Sequence, residues 1–338
     1  MAEEFCRIVS LLPAATEIVA ALGLADQLMG RSHECDESTA VQAVPALTAP
    51  RIDPTASSGG IHQQVEQASG PLFALDIERL AALQPDLVLT QAACAVCAIS
   101  ADDVMAAIEK SGLATRVIPL SPVTLDDVFR DILTVGDATG RLREAHDVVA
   151  GLKRRCDAVS KRVWRRLQPA NESQARRAGS APAGGSRPSD GRQDAAASRE
   201  AVAIIEWLDP PMAAGNWVPE MVRLAGGRDV LGKEAAHSHW IDWADVAAAD
   251  PDVVILIPCG FTVDRAVAEA RSPAVWPYLK PLRAVREGRA WAIDGHHLFN
   301  RPGPRLVDSL EVLAEVLHPE VFSFAATKRF AKNLSMTG

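Results

Sequence analysis

The chain has 338 residues, of which 48% are hydrophobic and 23% charged, a balance that suits one large or two medium folded domains and excludes disorder, collagen and coiled coil. Its 43 acidic and 35 basic residues leave a net charge of −8, so no basic surface dominates, and neither nucleic acid nor an anionic membrane is an expected partner. Seven Trp stand against a single Tyr, and all Trp but Trp164 follow residue 200. A Trp-rich half points to a flat apolar ligand face, with core packing as the plainer alternative.

Residues 8–25 are apolar, but Glu3 and Glu4 precede them and Pro13 and Glu17 interrupt them, which is not the pattern of a signal peptide. No other run approaches the ~20 apolar residues of a spanning helix. A soluble, cytoplasmic protein is expected, with its six cysteines as thiols, catalytic groups or metal ligands before disulfides.

Residues 7–11 (RIVSL) read as a buried strand, Pro13 stops it, and residues 14–22 carry apolar side chains at helical spacing before Gly23,. The same grammar returns at 201–205 (AVAII), followed by a loop through Pro210 and Pro211 and a helix over 219–224 closed by Gly226 and Gly227. A closer echo pairs residues 76–89 (DIERLAALQPDLVL) with 242–255 (DWADVAAADPDVVI). Each is a short helix, a Pro-Asp turn and an aliphatic strand.

The predicted organisation is therefore an N-terminal α/β lobe (1–122), an interlobe helix (123–168), a disordered insert (169–200), a second α/β lobe (201–322) and a tail (323–338). Gly136 and Gly140 could kink or break the first part of that helix. The insert has no Val, Ile, Leu or aromatic residue and cannot bury enough surface to order itself.

With these blocks in place, the chain resembles the class III substrate-binding proteins of ABC importers, the family that includes periplasmic cobalamin-binding and ferric-siderophore-binding proteins. The resemblance rests on residues 7–30 (RIVSLLPAATEIVAALGLADQLMG), the two echoed blocks, the interlobe helix and residues 300–314 (NRPGPRLVDSLEVLA). It implies two Rossmann-like lobes joined by a long helix, with the ligand held in the cleft between them at the carboxyl ends of the strands, as open α/β sheets hold theirs. The motifs HECD (33–36), QAACAVC (91–97), GNWVPE (215–220), PCGF (258–261) and RPGPR (301–305) are similar to a signal-less, cobalamin-binding-like branch.

The branch implies cobalamin or another corrinoid, or a related metal-chelate, as the small-molecule ligand. Trp240 falls where an aromatic pocket wall stands, and Arg301 where a polar arm grips the ligand, a role that suits a guanidinium. Glu34 and Gln91 occupy places where the cobalamin binders carry aromatics. Of the two carboxylates that dock such proteins on a permease, Glu78 fits the first position, whereas the second is Ala244, with Asp245 beside it. Docking on an ABC permease is therefore not expected.

The residues themselves add further candidates. Cys94 and Cys97 follow the strand 87–90, Cys35 follows 28–30, and Cys259 follows 253–257, so the four thiols share one expected rim. They could bind zinc or hold an iron-sulfur centre, making the protein a metalloprotein or enzyme; packing of Cys as a small hydrophobe is the plainer alternative. His33 could replace one of these ligands or serve as an axial ligand to cobalt. His237 and His239 point the same way on an extended segment, and His296 and His297 sit on another cleft loop, with a structural role as the alternative. Trp217 sits in a motif segment, where it would serve as a ligand wall or a mobile cover. The chain carries none of the hydrolase elbow, phosphate-loop or H-E-x-x-H motifs, so binding rather than catalysis is the simplest expectation.

Overall fold

The computed structural model describes residues 6–36, 38–92, 99–167 and 199–335. Residues 169–198 of the expected disordered insert, together with Cys94 and Cys97, lie outside the described residues. Contacts divide the chain into two units, Met1–Leu152 with Arg301–Leu306, and Lys153–Asn300 with Val307–Gly338.

The first unit is built on a four-stranded parallel sheet. Strand β1 (Ile8–Ser10) lies between β2 (Leu28–Arg31) and β5 (Leu87–Gln91), and β6 (Arg116–Leu120) completes the order β2-β1-β5-β6. β1 is buried along its whole length, which is why it reads as an aliphatic run rather than an alternation. Val9, Leu11, Leu47, Leu80, Val88, Ile99, Val104 and Ile108 form a core with it. Helix α1 (Pro13–Ala21) begins with Pro in its first turn, where the missing N–H costs nothing. A small antiparallel pair, β3 (Thr48–Pro50) with β4 (Phe73–Leu75), stands apart from the main sheet. Helices α2 (Thr39–Gln42), α3 (Ser58–Gln67), α4 (Ile77–Leu83) and α5 (Ala101–Ser111) fill the intervening segments.

The stretch expected to form one strut is two helices. The first, α6 (Leu125–Ala138), starts at a capping box between Thr124 and Asp127, and the second, α7 (Leu142–Leu167), runs for 26 residues, or ~39 Å at the usual rise. Gly140 between them has φ +71°, the left-handed conformation that ends a helix cheaply only at glycine. A side chain at Gly136 would strike the Ala145 Cβ at 2.5 Å, so the close crossing of the two helices needs this glycine.

In the second unit the sheet order is β10-β8-β7-β11-β12-β13, with β9 also pairing β7. Its parallel centre is β7 (Ala201–Leu208), β11 (Val253–Leu256) and β12 (Ala290–Ile293). The loop expected through Pro210 and Pro211 is instead a hairpin: β7 turns at Asp209 and Pro210 into antiparallel β8 (Pro211–Ala213), and β10 (His239–Trp240) adds to β8. β9 spans Arg228–Asp229, after helix α8 (Val218–Leu224). The tail forms an edge strand, β13 (Ala331–Asn333), antiparallel to β12.

The internal echo extends to backbone detail. Helix α4 starts at Asp76, and its counterpart α9 (Trp243–Ala249) starts at Asp242. They end at Gln84 and Asp250, both left-handed with φ of 46° and 37°. The aspartate of each Pro-Asp turn then accepts the backbone N–H that opens the central strand: Asp86 takes Arg7 N and Asp252 takes Ala201 N, each at 2.8 Å. The backbone also returns a bond, from Asp86 N to Arg7 O and from Asp252 N to Ala201 O. These bonds hold both carboxylates below their ordinary range, led by the Arg7 side chain at Asp86 and by the Ala201 N–H at Asp252.

Candidate functional site

Each sheet presents the loops after its parallel strands along one edge, the usual location of ligand sites in such folds. In the first unit that edge carries residues 32–36. The His33 ring has Nδ1 2.7 Å from Thr48 Oγ1 and Nε2 3.3 Å from Glu34 Oε1, and its centroid lies 5.6 Å from that of the tilted Phe73 ring. Both side chains remain partly exposed. Gln91 ends β5, paired with Leu120 and bridged to Ser100.

Beneath this edge lies an ionic cluster. Arg301 donates to Asp36 Oδ1 at 2.7 Å and to the Glu34 carbonyl at 3.2 Å, and it stands 3.8 Å from Glu17, which Arg305 also grips. Arg301 and Glu17 are 5% and 4% exposed. Two cations therefore meet two carboxylates, the balance that buried charge requires. In this structure the Arg301 guanidinium is buried and fixes the 34–36 loop. The Pro-Gly-Pro turn makes this possible, because Gly303 lets the chain lie against Ala14 and Glu17, where a Cβ would come within 3.2 Å of the Ala14 carbonyl.

Cys35 is packed in the core. It is 1% exposed, and its Sγ lies 2.9 Å from Thr16 Oγ1. Burial pushes the thiol up to about 11, and the Thr16 bond and the Arg301 charge offset only part of that shift. A metal ligand must be thiolate, the form that burial disfavours at Cys35. Cys259 lies on the edge loop of the second unit, partly exposed. Among the described residues neither cysteine belongs to a converging group of three potential metal ligands.

The edge of the second unit is richer. Trp240 pairs with Met212 across β10 and β8, and Met212 pairs with Trp207 across β8 and β7. Residues in register across a sheet face the same side, so Trp240, Met212 and Trp207 form one apolar row ~10 Å from end to end. Trp240 is 54% exposed. Trp207 meets Phe261 edge-on with centroids 5.6 Å apart. Its buried indole N–H has no hydrogen-bond partner among the described residues, and neither does Nδ1 of His239. The irregularity in β7 between Ile205 and Trp207 frees Glu206 to accept the Ser238 hydroxyl at 2.8 Å, a common effect of a bulge at a strand end.

Trp217 supports this edge from inside the core. It is 8% exposed, and its Nε1 donates to the Phe299 carbonyl at 2.8 Å, so it anchors the loop that ends in Asn300. The neighbouring residues of its motif are equally structural. A Cβ at Gly215 would collide with the Ala236 carbonyl and the Ser238 nitrogen, and Asn216 N donates to Ala236 O at 2.6 Å. The GNW turn thus braces the segment that leads into Trp240.

After β12 the chain turns at Asp294, a residue the sequence reading passed over. This carboxylate is 3% exposed and accepts the backbone N–H groups of His296 and His297 at 3.0 and 2.7 Å, and the His297 ring at 2.9 Å. Burial alone would raise Asp294, but the His297 ring and backbone bonds more than offset it, and the carboxyl sits below its ordinary range. An ionised carboxylate only accepts, so the His297 ring donates to it through Nδ1. The signal available in the sequence was the D-x-x-H spacing directly after a strand.

A sequence profile described as "Periplasmic binding protein" matches residues 8–185. Over 323 residues, 94% of this chain and 81% of the other, the chain is 22% identical to YvrC, an uncharacterized ABC transporter substrate-binding lipoprotein of Bacillus subtilis. A 106-residue stretch, 31% of this chain and 35% of the other, is 27% identical to a vitamin B12-binding protein of Vibrio cholerae. Among solved structures, a periplasmic heme-binding protein of Pseudomonas aeruginosa is similar with TM-score 0.67 and 21% identity, over 98% of this chain and 99% of the other. The vitamin B12-binding protein BtuF of Vibrio cholerae is similar with TM-score 0.60 and 19% identity, over 93% and 96%. The structural likenesses establish the two-lobed α/β fold, and with the profile match over more than half its length this chain belongs to the periplasmic binding protein family, as a ligand-binding member.

Proposed function

We propose that the protein binds a corrinoid, cobalamin or a close relative, on the edge of its second unit. The observation that carries this reading is the Trp240–Met212–Trp207 row. It is a flat apolar surface of macrocycle width, and the buried indole N–H of Trp207 within it lacks a partner among the described residues. Buried polar atoms rarely go unpaired, and the amide fringe of a corrinoid supplies acceptors for such a donor. The vitamin B12-binding relative favours a corrinoid over the heme that another similar protein takes.

Titration of the purified chain with aquocobalamin and with hemin tests the reading by Trp fluorescence and calorimetry. Saturable quenching by the corrinoid is expected, and Trp240→Ala should weaken it about 10-fold, equivalent to ~1.4 kcal/mol of lost aromatic contact. Tighter binding of hemin than of every corrinoid form would overturn it.

Docking on an ABC permease is not part of the proposed role. Glu78 is exposed on α4, but its counterpart in the echoed block is Ala244, and Asp245 is engaged in the capping box, accepting Asp242 N at 2.8 Å. A cytoplasmic setting is proposed with it, supported by Cys35, Cys156 and Cys259, which form no disulfide among the described residues, as a reducing compartment leaves them. Cell fractionation tests the setting, and recovery of the chain outside the cytoplasm would refute it.

A further inference from the structure

We infer that the first unit holds a ligand site of its own, a cleft at the C-terminal end of α3 that takes a small organic carboxylate with an aliphatic body. The site lies wholly within residues 51–72 and does not depend on the corrinoid reading. That segment joins β3 to β4 and closes on itself at its neck, where Arg51 N donates to the Leu72 carbonyl at 2.8 Å. Its two ends and α3 enclose a cleft of about 510 Å³, within the ~300–1,000 Å³ of small-molecule sites. The wall is braced from within: Ser57 caps α3 by accepting Gly60 N at 3.1 Å, and Gln64 accepts Asp53 N at 2.7 Å while its amide donates to the Gly60 carbonyl at 3.2 Å. A wall fixed in advance loses little freedom when a ligand arrives.

The lining sets the chemistry. Arg51 is the one charged residue among those that line the cleft, and its guanidinium has no partner among the described residues. The acid nearest to it in the chain, Asp53, does not line the cleft and accepts Thr55 N and Oγ1 at 2.9 and 2.6 Å. Gln67 and Ser69 add an amide and a hydroxyl, and Ile52, Pro71 and Leu72 supply apolar walls. A guanidinium presents paired N–H donors that match the two oxygens of a carboxylate. A single cation balances a single negative charge, which favours a monocarboxylate over a phosphate dianion.

The probe is 4-methylpentanoate, compared with its neutral amide, 4-methylpentanamide, and with acetate. The full chain, labelled at its Ile and Leu methyl groups, is titrated with each and followed by nuclear magnetic resonance. Saturable shifts of the Ile52 and Leu72 methyls by 4-methylpentanoate are expected. Binding should be about 10-fold weaker or more for the amide, which lacks the charge, and for acetate, which lacks the aliphatic body. Arg51→Gln should weaken the acid about 10-fold, the size of one lost charge-assisted bond, and Arg51→Lys should recover part of that loss. Gly70 also lines the cleft, and a Cβ there meets no atom within 4 Å, so Gly70→Leu should narrow the cleft and weaken the acid without disturbing the fold. The circular dichroism melt of each variant shows that it is folded, and the Arg51→Gln titration decides the matter if Gly70→Leu unfolds. Ile52 and Leu72 methyls that do not move with the acid in large excess, equal binding of acid and amide, or undiminished binding in folded Arg51→Gln would each overturn the assignment.

Discussion

Replacement of Arg301 separates two roles for the RPGPR motif. If Arg301 is a structural pin, Arg301→Ala removes a charge-assisted bond to Asp36 at 2.7 Å and a bond to the Glu34 carbonyl at 3.2 Å. A hydrogen bond to a charged group contributes ~1.5–3 kcal/mol, and the 29% exposure of the Asp36 side chain argues for the lower part of that range, so a loss of roughly 2 kcal/mol is expected. For a unit of this size that corresponds to a fall of ~4–8 °C in melting temperature. Arg301→Lys should recover about half, because an ammonium can meet Asp36 but lacks the planar fork that reaches both acceptors. Every Trp and the single Tyr lie in the second unit, so far-UV circular dichroism during heating is the probe, read beside Trp fluorescence as a reporter of the second unit. A melt unchanged in Arg301→Ala together with a large loss of ligand affinity would refute this reasoning and restore Arg301 as a ligand arm.

Three further perturbations follow from the structure. Trp217→Phe keeps the aromatic volume but leaves the buried Phe299 carbonyl without its donor; a loss of about 1–2 kcal/mol is expected in thermal melts, and an unchanged melt would contradict the anchor. Cys35 is raised from 9.0 to about 11, so its contribution is complete below the unfolded value and is lost as pH rises through that interval. Native protein should resist alkylation at Cys35 at neutral pH, and rapid labelling located by peptide mass spectrometry would show the thiol to be accessible. Asp229 has the same sign at lower pH. Burial raises it from 3.8 to about 6, the backbone bonds from Gly232 and Leu231 offsetting only part, and its Oδ2 has no partner among the described residues. Wild-type stability should fall relative to Asp229→Asn as pH rises through that interval, and a stability gap that does not vary with pH would contradict it.

Much of this architecture was legible because the signals were local. The buried strands at Ile8–Ser10 and Val253–Leu256, and the Asp-helix-Pro-Asp-strand block used twice, are written in apolar runs and turn residues next to one another. Trp240 was singled out by the family resemblance, and the structure places it exposed at the end of β10. What the sequence hid depends on partners distant in the chain. Arg301 looks like a recognition group until Asp36, 265 positions away, is brought against it. Trp217 looks like a surface motif until Phe299, 82 positions away, accepts its N–H. The edge strand Ala331–Asn333 was missed because Ala, Lys and Asn have little strand propensity and β12 supplies the pairing. Asp294 was passed over because a single acid after a strand reads as a turn residue.

That the Trp240–Met212–Trp207 row receives a corrinoid is tested most directly by a titration of the purified chain with aquocobalamin. The prediction is saturation at one corrinoid per chain, with quenching of Trp fluorescence. Unquenched fluorescence, with ligand in large excess over protein, would contradict it.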